Sequence, residues 1–289
     1  MSFRTLLLTV IATALPAFAS SACADTLPNI PASCFTYSLN GHQAASHAFS
    51  ASGMHATLTG TGIGLDIGPI SLKDPKGAVE ESKLEQFNAT AAYAALSAFR
   101  GGLSSECQGQ DATITVRNIH EGTPEASWSN VKLSRPGHTM TIQHATINAV
   151  ETNPDLRMKV NGTGIHDSKQ PLIPSALSAD LTIHGLSGAS QQITINALHA
   201  ISGSSTVDGT GTIQIGSSAA TSTADTHVSI TNIADLIEKI HQTAPTKVVT
   251  ALTIARLMGR QNGDTTSWDI ALQGGVVTVN RIPLPIAVP

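Results

Sequence analysis

Apolar residues recur at every second position through much of this chain, and that period limits the possible folds more than any other feature. Leu156, Met158 and Val160 alternate with Arg157, Lys159 and Asn161, and Ala112, Ile114 and Val116 alternate with Thr113, Thr115 and Arg117. The spacing returns at Leu181/Ile183, Ile193/Ile195, Ile213/Ile215 and Val228/Ile230. Successive strand side chains point to opposite faces, so the pattern predicts strands with one apolar and one polar face, as in antiparallel sheet. The apolar phase slips by one residue near Ala145 and near Leu198, which predicts bulges or bends there. No helix is required between successive strands in this stretch, which disfavours a parallel βαβ fold.

Helical spacing interrupts the strands in three places. The first helix is expected over about 83–100, with Ser82 and Glu85 spaced as a capping box and Gly101-Gly102 ending it. The second covers Ile233 to about Gln242, with Asn232 as N-cap and Ile233, Leu236, Ile237 and Ile240 on one stripe. The third starts at Pro245, carries Val248, Leu252 and Ala255, and stops at Gly259. A final hairpin follows: Trp268, Ile270 and Leu272, a Gly274-Gly275 turn, then Val277 and Val279, closed off by Pro283, Pro285 and Pro289. Gly-Thr-Gly occurs at 60–62, 162–164 and 209–211. The unequal spacing argues against a solenoid and for a strand-end or bulge motif used repeatedly in one sheet. The expected class is mainly β with a few helices: a long curved antiparallel sheet or a sandwich with about three packed helices.

The N-terminus predicts export. Arg4 is the only charge before Asp25, the run from Leu6 to Leu15 is apolar, and Ala22-Cys23-Ala24 fits the small-x-small cleavage rule. The run is too short to span a bilayer about 30 Å thick. Residues 1–24 therefore read as a signal peptide and 25–289 as a single β-rich domain, with a candidate sub-boundary near 103–111. Two alternatives stand beside cleavage. A retained anchor lacks the stop-transfer charges that would follow it. Lipidation of Cys23 is disfavoured by Ser20, which stands where a lipobox carries an aliphatic residue.

Only 12% of residues are charged and 3% are aromatic, and the formal charge is −4. That supplies neither a basic face nor a stacking platform, so nucleic acid is excluded as a partner class. No later segment is long and apolar enough to be transmembrane. Once the leader is gone the remaining cysteines are Cys34 and Cys107. In an oxidising compartment they are expected to form a disulfide, with a thiol nucleophile as the weaker alternative.

Catalytic signatures are missing: there is no Walker loop, dinucleotide fingerprint, zincin helix or nucleophile elbow. Ser129-x-x-Lys132 matches one acyl-serine motif, but in a strand-like stretch and without its companion motifs. His138, Met140, Ile142 and His144 fall on one predicted strand face as a soft-ligand mix. Six strand residues span about 20 Å, too far for both histidines to share an ion. His42 and His47 could meet only if 41–46 curls into a loop. Glu80-Glu81 reads as a dipole-favoured helix start. No metal and no cofactor are expected.

The tail WDIALQGGVVTVNRIPLPI resembles the C-terminal hairpin of the AsmA-like and YdgA-like envelope proteins of Gram-negative bacteria. Their strand ends in a G-x-V-x-V-N-G turn followed by PLP. Gly275, Val277, Val279 and Asn280 match, and Arg281 replaces the last glycine. The helices over 233–259 are also similar to what precedes that hairpin. The resemblance covers about 60 of 289 residues. It implies a periplasmic β-groove protein associated with envelope lipid homeostasis, without catalytic residues. The expected function is thus an exported, non-catalytic envelope protein, periplasmic rather than extracellular, binding a lipid or other apolar ligand. Its candidate groove lining is Ile114, Val116, Leu156, Met158, Val160, Ile193 and Ile195, which would otherwise fill a closed core. A secreted adhesin or surface protein is the alternative, and a periplasmic hydrolase without a recognisable motif comes third.

Overall fold

The computed structural model describes residues 30–102, 107, 122–170, 173–185, 191–216, 220–243 and 253–283. The leader and the candidate groove residues Ile114 and Val116 lie outside the described residues.

The first ribbons are each broken once by small or turn-forming residues: β1 (Phe35–Asn40) and β2 (Gln43–Ala45), β3 (Ala48–Ala51) and β4 (Gly53–Leu58), β5 (Ile63–Ile67) and β6 (Ile70–Lys73). Helix α1 (Glu81–Arg100) follows. Longer strands come next: β7 (Glu125–Arg135), β8 (His138–Glu151), β9 (Leu156–Thr163) with the short β10 (His166–Asp167), β11 (Ala176–His184), β12 (Gln191–Ser202), β13 (Ser205–Ile215) and β14 (Thr223–Thr231). Helix α2 (Ile233–Thr243) and helix α3 (253–258) lead to β15 (Arg260–Asn262), β16 (Thr265–Gln273), β17 (Val276–Val279) and β18 (Ile282–Pro283).

These 18 segments form one antiparallel sheet. Each ribbon lies beside its sequence neighbours: β4 pairs with β1 and β5, β7 with β5 and β8, β9 with β8 and β11. The ladder continues through β12, β13, β14 and β16 to β17. Of the two expected architectures, the described strands make the single open sheet and not the sandwich. A meander needs only short turns, which is what the glycine-rich junctions supply. Gly60 and Gly62 turn β4 into β5 with φ +71° and +67°, and Gly209-Thr210-Gly211 lies in β13 opposite a bulge in β12. That bulge places one extra residue between Ile195 and Leu198, where the phase slip predicted it.

The other slip belongs to a larger feature. Ala51 and Met54, Ile67 and Ile70, and Trp128 and Val131 are all buried at a spacing of three, not two. Ile142 and Ala145 in β8 repeat that spacing, both half-buried. A crease therefore crosses four neighbouring ribbons. At its centre the Gly68 N–H donates to the Ser129 carbonyl (2.9 Å), the Ser129 N–H donates to the Pro69 carbonyl (3.0 Å), and Asn130 takes φ +52°. A side chain at Gly68 would meet the Ser129 carbonyl at 3.0 Å. The crease also corrects the predicted face of β8. His138, Met140 and Ile142 stay together, while His144 turns to the polar side, where its Nδ1 lies 3.4 Å from Ser129 Oγ.

The core sits where α1 packs on the first ribbons. Phe35, Phe49 and Leu65 from the sheet meet Leu84, Ala89 and Leu96 from the helix, all at most 1% exposed. Helix α1 starts two residues earlier than expected. Glu80 occupies the cap position without a side-chain bond, so the Ser82/Glu85 capping box does not form. Glu85 instead accepts from the Tyr37 hydroxyl (3.2 Å). The C-terminus is as expected, with Gly101 left-handed at φ +97° and its N–H on the Ser97 and Ala98 carbonyls. At α2 the Asn232 position is right but its side chain is spent elsewhere, donating to the Ser204 carbonyl (3.0 Å). Ile233 and Ile240 of the stripe are buried; Leu236 and Ile237 are half-buried.

The closing hairpin forms as expected, with Ile270 opposite Val279 and Leu272 opposite Val277. Asn280 and Arg281 then turn the chain with φ +50° and +69°. Arg281 holds a left-handed conformation that costs a non-glycine residue roughly 1–2 kcal/mol. Arg281→Gly should raise stability by about 0.5–1 kcal/mol after glycine's larger unfolded-state entropy is subtracted. A thermal midpoint that falls would mean that the attraction between Arg281 and Asp269 outweighs the strain.

Candidate functional site

Register carries one apolar face across the whole sheet. Phe49 stands opposite Leu72, and the row continues through Ala126, Ile147, Val160, Ala179, Leu198, Gly209 and Val228 to Trp268. A parallel row runs Ala149, Met158, Leu181, Ile195, Gly211, Thr226, Ile270, Val279. Next to it Leu156, Ile183, Ile193, Ile213, Ala224 and Leu272 line up, ending at Val277. Five of the expected groove residues are thus brought onto one face. Leu156 shares a row with Ile193, Met158 shares one with Ile195, and Val160 belongs to the first. Leu156 is buried and the other four are half-buried.

The opposite face is polar and paired across strands. His55 meets Asp66 (2.7 Å), His199 meets Asp208 (2.6 Å), and His227 meets Asp269 (2.8 Å). Arg157 grips Asp180 through two nitrogens (3.0 and 2.8 Å). The Arg157 hydrogen bond is the main cause holding the Asp180 carboxyl below its ordinary range.

Among the described residues the apolar face is covered unevenly. Helix α1 contacts β3 to β7 in the first half, whereas in the second α2 touches mainly β13 and the Ala255 carbonyl of α3 accepts from Trp268 Nε1 (2.7 Å). Every residue of β11 is half-buried and none is fully buried, although its Leu177, Leu181 and Ile183 face the apolar side. Beneath α1 the packing leaves a cavity of ≈ 310 Å³. Its roof is Ala91, Ala92 and Ala95, and its floor comes from β5, β7, β8 and β9. The residues around it include no ionisable side chain. In sequence these alanines are good helix formers and mark no cavity by themselves. Their signal was the clustering of small residues on an otherwise core-facing helix.

A buried histidine–carboxylate pair also invites a chemical reading. His138 and Asp167 have side chains only 5% and 2% exposed and meet at 2.7 Å. Arg135 Nε can only donate, and it lies 3.1 Å from His138 Nδ1. That places the ring proton on Nε2, facing Asp167. Burial opposes ionisation of Asp167, but N–H groups of Lys169 and Gln170 and the His138 ring outweigh it and pull its pKa down. Both ring nitrogens are occupied, so the pair clamps β10 to β8 and holds no nitrogen ready as a base.

His42, Glu81 and Glu85 bring three ligand atoms within 4.8 Å of one another at the start of α1. His42 already bonds Glu81 (3.0 Å), and Glu85 accepts from Tyr37. His47 goes elsewhere, its Nδ1 3.0 Å from the Val79 carbonyl. Ser129 and Lys132 lie in β7, as the strand reading required. Cys34 and Cys107 are disulfide-bonded with Cα atoms 5.9 Å apart. Among the described residues no helix is long and apolar enough to cross a membrane.

No curated protein and no solved structure matches the chain. The family model described as "Uncharacterized protein conserved in bacteria (DUF2125)" matches residues 32–287, and the chain belongs to that family.

Proposed function

We propose that this member of the DUF2125 family is exported to the periplasm, where it holds a lipid or similar apolar ligand on the apolar face of its sheet without acting on it chemically. The observation that carries the reading is the set of in-register apolar rows that continues past α1 onto strands with no second layer among the described residues. A closed core at this chain length would bury such rows fully. The signal-like N-terminus and the Cys34–Cys107 bond support export, and the resemblance of the tail to AsmA-like and YdgA-like proteins supports the envelope. A ligand that lies on aliphatic rows needs no catalytic group, which fits the occupied His138–Asp167 pair.

The test is native mass spectrometry with lipid extraction on purified mature protein, alongside a Met158→Asp variant. Wild-type protein should carry an apolar ligand. Met158 is half-buried on the apolar face, so the variant should fold yet lose the ligand. Bare wild-type protein together with an unfolded Met158→Asp would mean that these rows form a sealed core, where an unpaired carboxylate is not tolerated.

A further inference from the structure

We infer that the cavity beneath α1 takes the tail of a single acyl chain of roughly a dozen carbons, an assignment that rests on the apolar-ligand reading above. The helix is tightly packed elsewhere along its length: Leu84 and Leu96 are fully buried and Tyr93 is 2% exposed. The gap is confined to the turns where Ala91, Ala92 and Ala95 face the floor. Three methyl groups in place of larger side chains leave a space that the sheet cannot close, because the floor is held by strand ladders on both sides.

The walls are almost wholly apolar: Thr146 and Asn161 are the polar side chains among them, and Asn161 Nδ2 donates to Thr146 Oγ1 (3.4 Å). Trp128 carries the one indole N–H there, and it donates to Asn88 Oδ1 (2.7 Å), away from the space. Asn88 is itself fully buried and donates onward to Met54 Sδ (3.3 Å). The tryptophan therefore presents apolar ring to the cavity in a fixed orientation. Apolar walls of this kind hold water poorly and favour an apolar guest.

Size limits the guest. A cavity of about 150 Å³ holds benzene, six carbons. By proportion ≈ 310 Å³ holds about twice that, too little for a sterol nucleus with its side chain or for two chains. The exit is set by Ile147 and Val160, which line the cavity and also belong to the row running out to Ala179 and Leu198. A chain can enter end-on, with its head left on the sheet beyond α1.

The test titrates delipidated wild-type mature protein with saturated fatty acids of increasing length. Affinity should rise with each carbon to roughly twelve and then flatten. The ω-brominated acid of twelve carbons should quench tryptophan fluorescence, and Trp128→Phe should remove that quenching. Ala95→Phe plugs the cavity and should weaken binding by roughly tenfold or more. If that variant misfolds, the quenching and the length profile of the unmutated protein decide the matter. Acyl binding without quenching, or an unchanged affinity in a folded Ala95→Phe, would overturn the cavity assignment and leave the apolar-ligand reading standing. Failure of every chain length to bind wild-type protein would overturn both.

Discussion

Replacing Cys34 and Cys107 together by serine should lower the unfolding free energy of the mature protein by about 4 kcal/mol. The bond joins residues 73 apart in sequence, and a long loop closed in the unfolded chain removes much of its conformational freedom. Both cysteines are buried, at 4% and 8% exposed, so the serines also lose apolar contact. Cys34 stands just before β1 and is fixed there by backbone bonds, its N–H to Pro31 and its carbonyl from Thr59. Release of Cys107 should therefore free it from the edge of the sheet at Cys34. In urea the midpoint should fall, and reduction of the wild type should reproduce the shift. A double variant that unfolds with the wild type would show that the bond constrains nothing in the unfolded chain.

Asp74→Ala should cost about 3–5 kcal/mol, as the carboxylate alone satisfies four backbone donors. Its Oδ1 accepts from the N–H groups of Lys76 (3.2 Å) and Thr123 (2.9 Å), and Oδ2 from those of Ala78 (2.7 Å) and Val79 (2.8 Å). Asp74 is 5% exposed, so at least the deeper donors would be stranded without water. These bonds tie the entry to α1 to the entry to β7. Gly122 is part of the same knot: a methyl group there would fall 2.6 Å from Asp74 Oδ2.

Asp74 also gives a pH signature. Burial alone would raise its pKa, but the N–H groups of Thr123, Val79, Ala78 and Lys76 outweigh burial and lower it. A folded-state pKa below the unfolded value means that the unfolded chain binds the proton first. The contribution is complete above about pH 4 and is lost as pH falls through the unfolded value toward the depressed folded one. Urea midpoints of wild type and Asp74→Asn should therefore converge on acidification below about pH 4. A constant gap between the two would mean that the charge of the carboxylate contributes nothing.

Particular residues show what was legible in the chain. Leu156, Met158 and Val160 identified a strand and its apolar side because alternation depends only on residues two apart. The extra residue between Ile195 and Leu198 was legible for the same reason, since a bulge shifts the phase locally. Gly101 and the Gly274-Gly275 pair marked ends and turns through their own backbone freedom. Side chains with a choice of partners were misread. Glu85 had the spacing to cap its own helix and instead bonds Tyr37, 48 residues earlier in the chain. Asn232 had the identity of an N-cap and instead holds Ser204.

The cavity was hidden for a related reason. Ala91, Ala92 and Ala95 cluster as small residues on one side of the helix, but they look like ordinary helix formers until β7 and β8 are placed beneath them. By itself the sequence determined the alternating strands from Leu156 onward with their apolar sides, the closing hairpin and the cysteine pair, because each rests on neighbouring residues or on elimination. Only the tertiary structure decided that the ribbons form one open sheet, that the crease turns His144 away from Ile142, and that α1 roofs half of the face. Those features depend on which distant segments meet, and contact between distant segments is set by the packing of the whole chain.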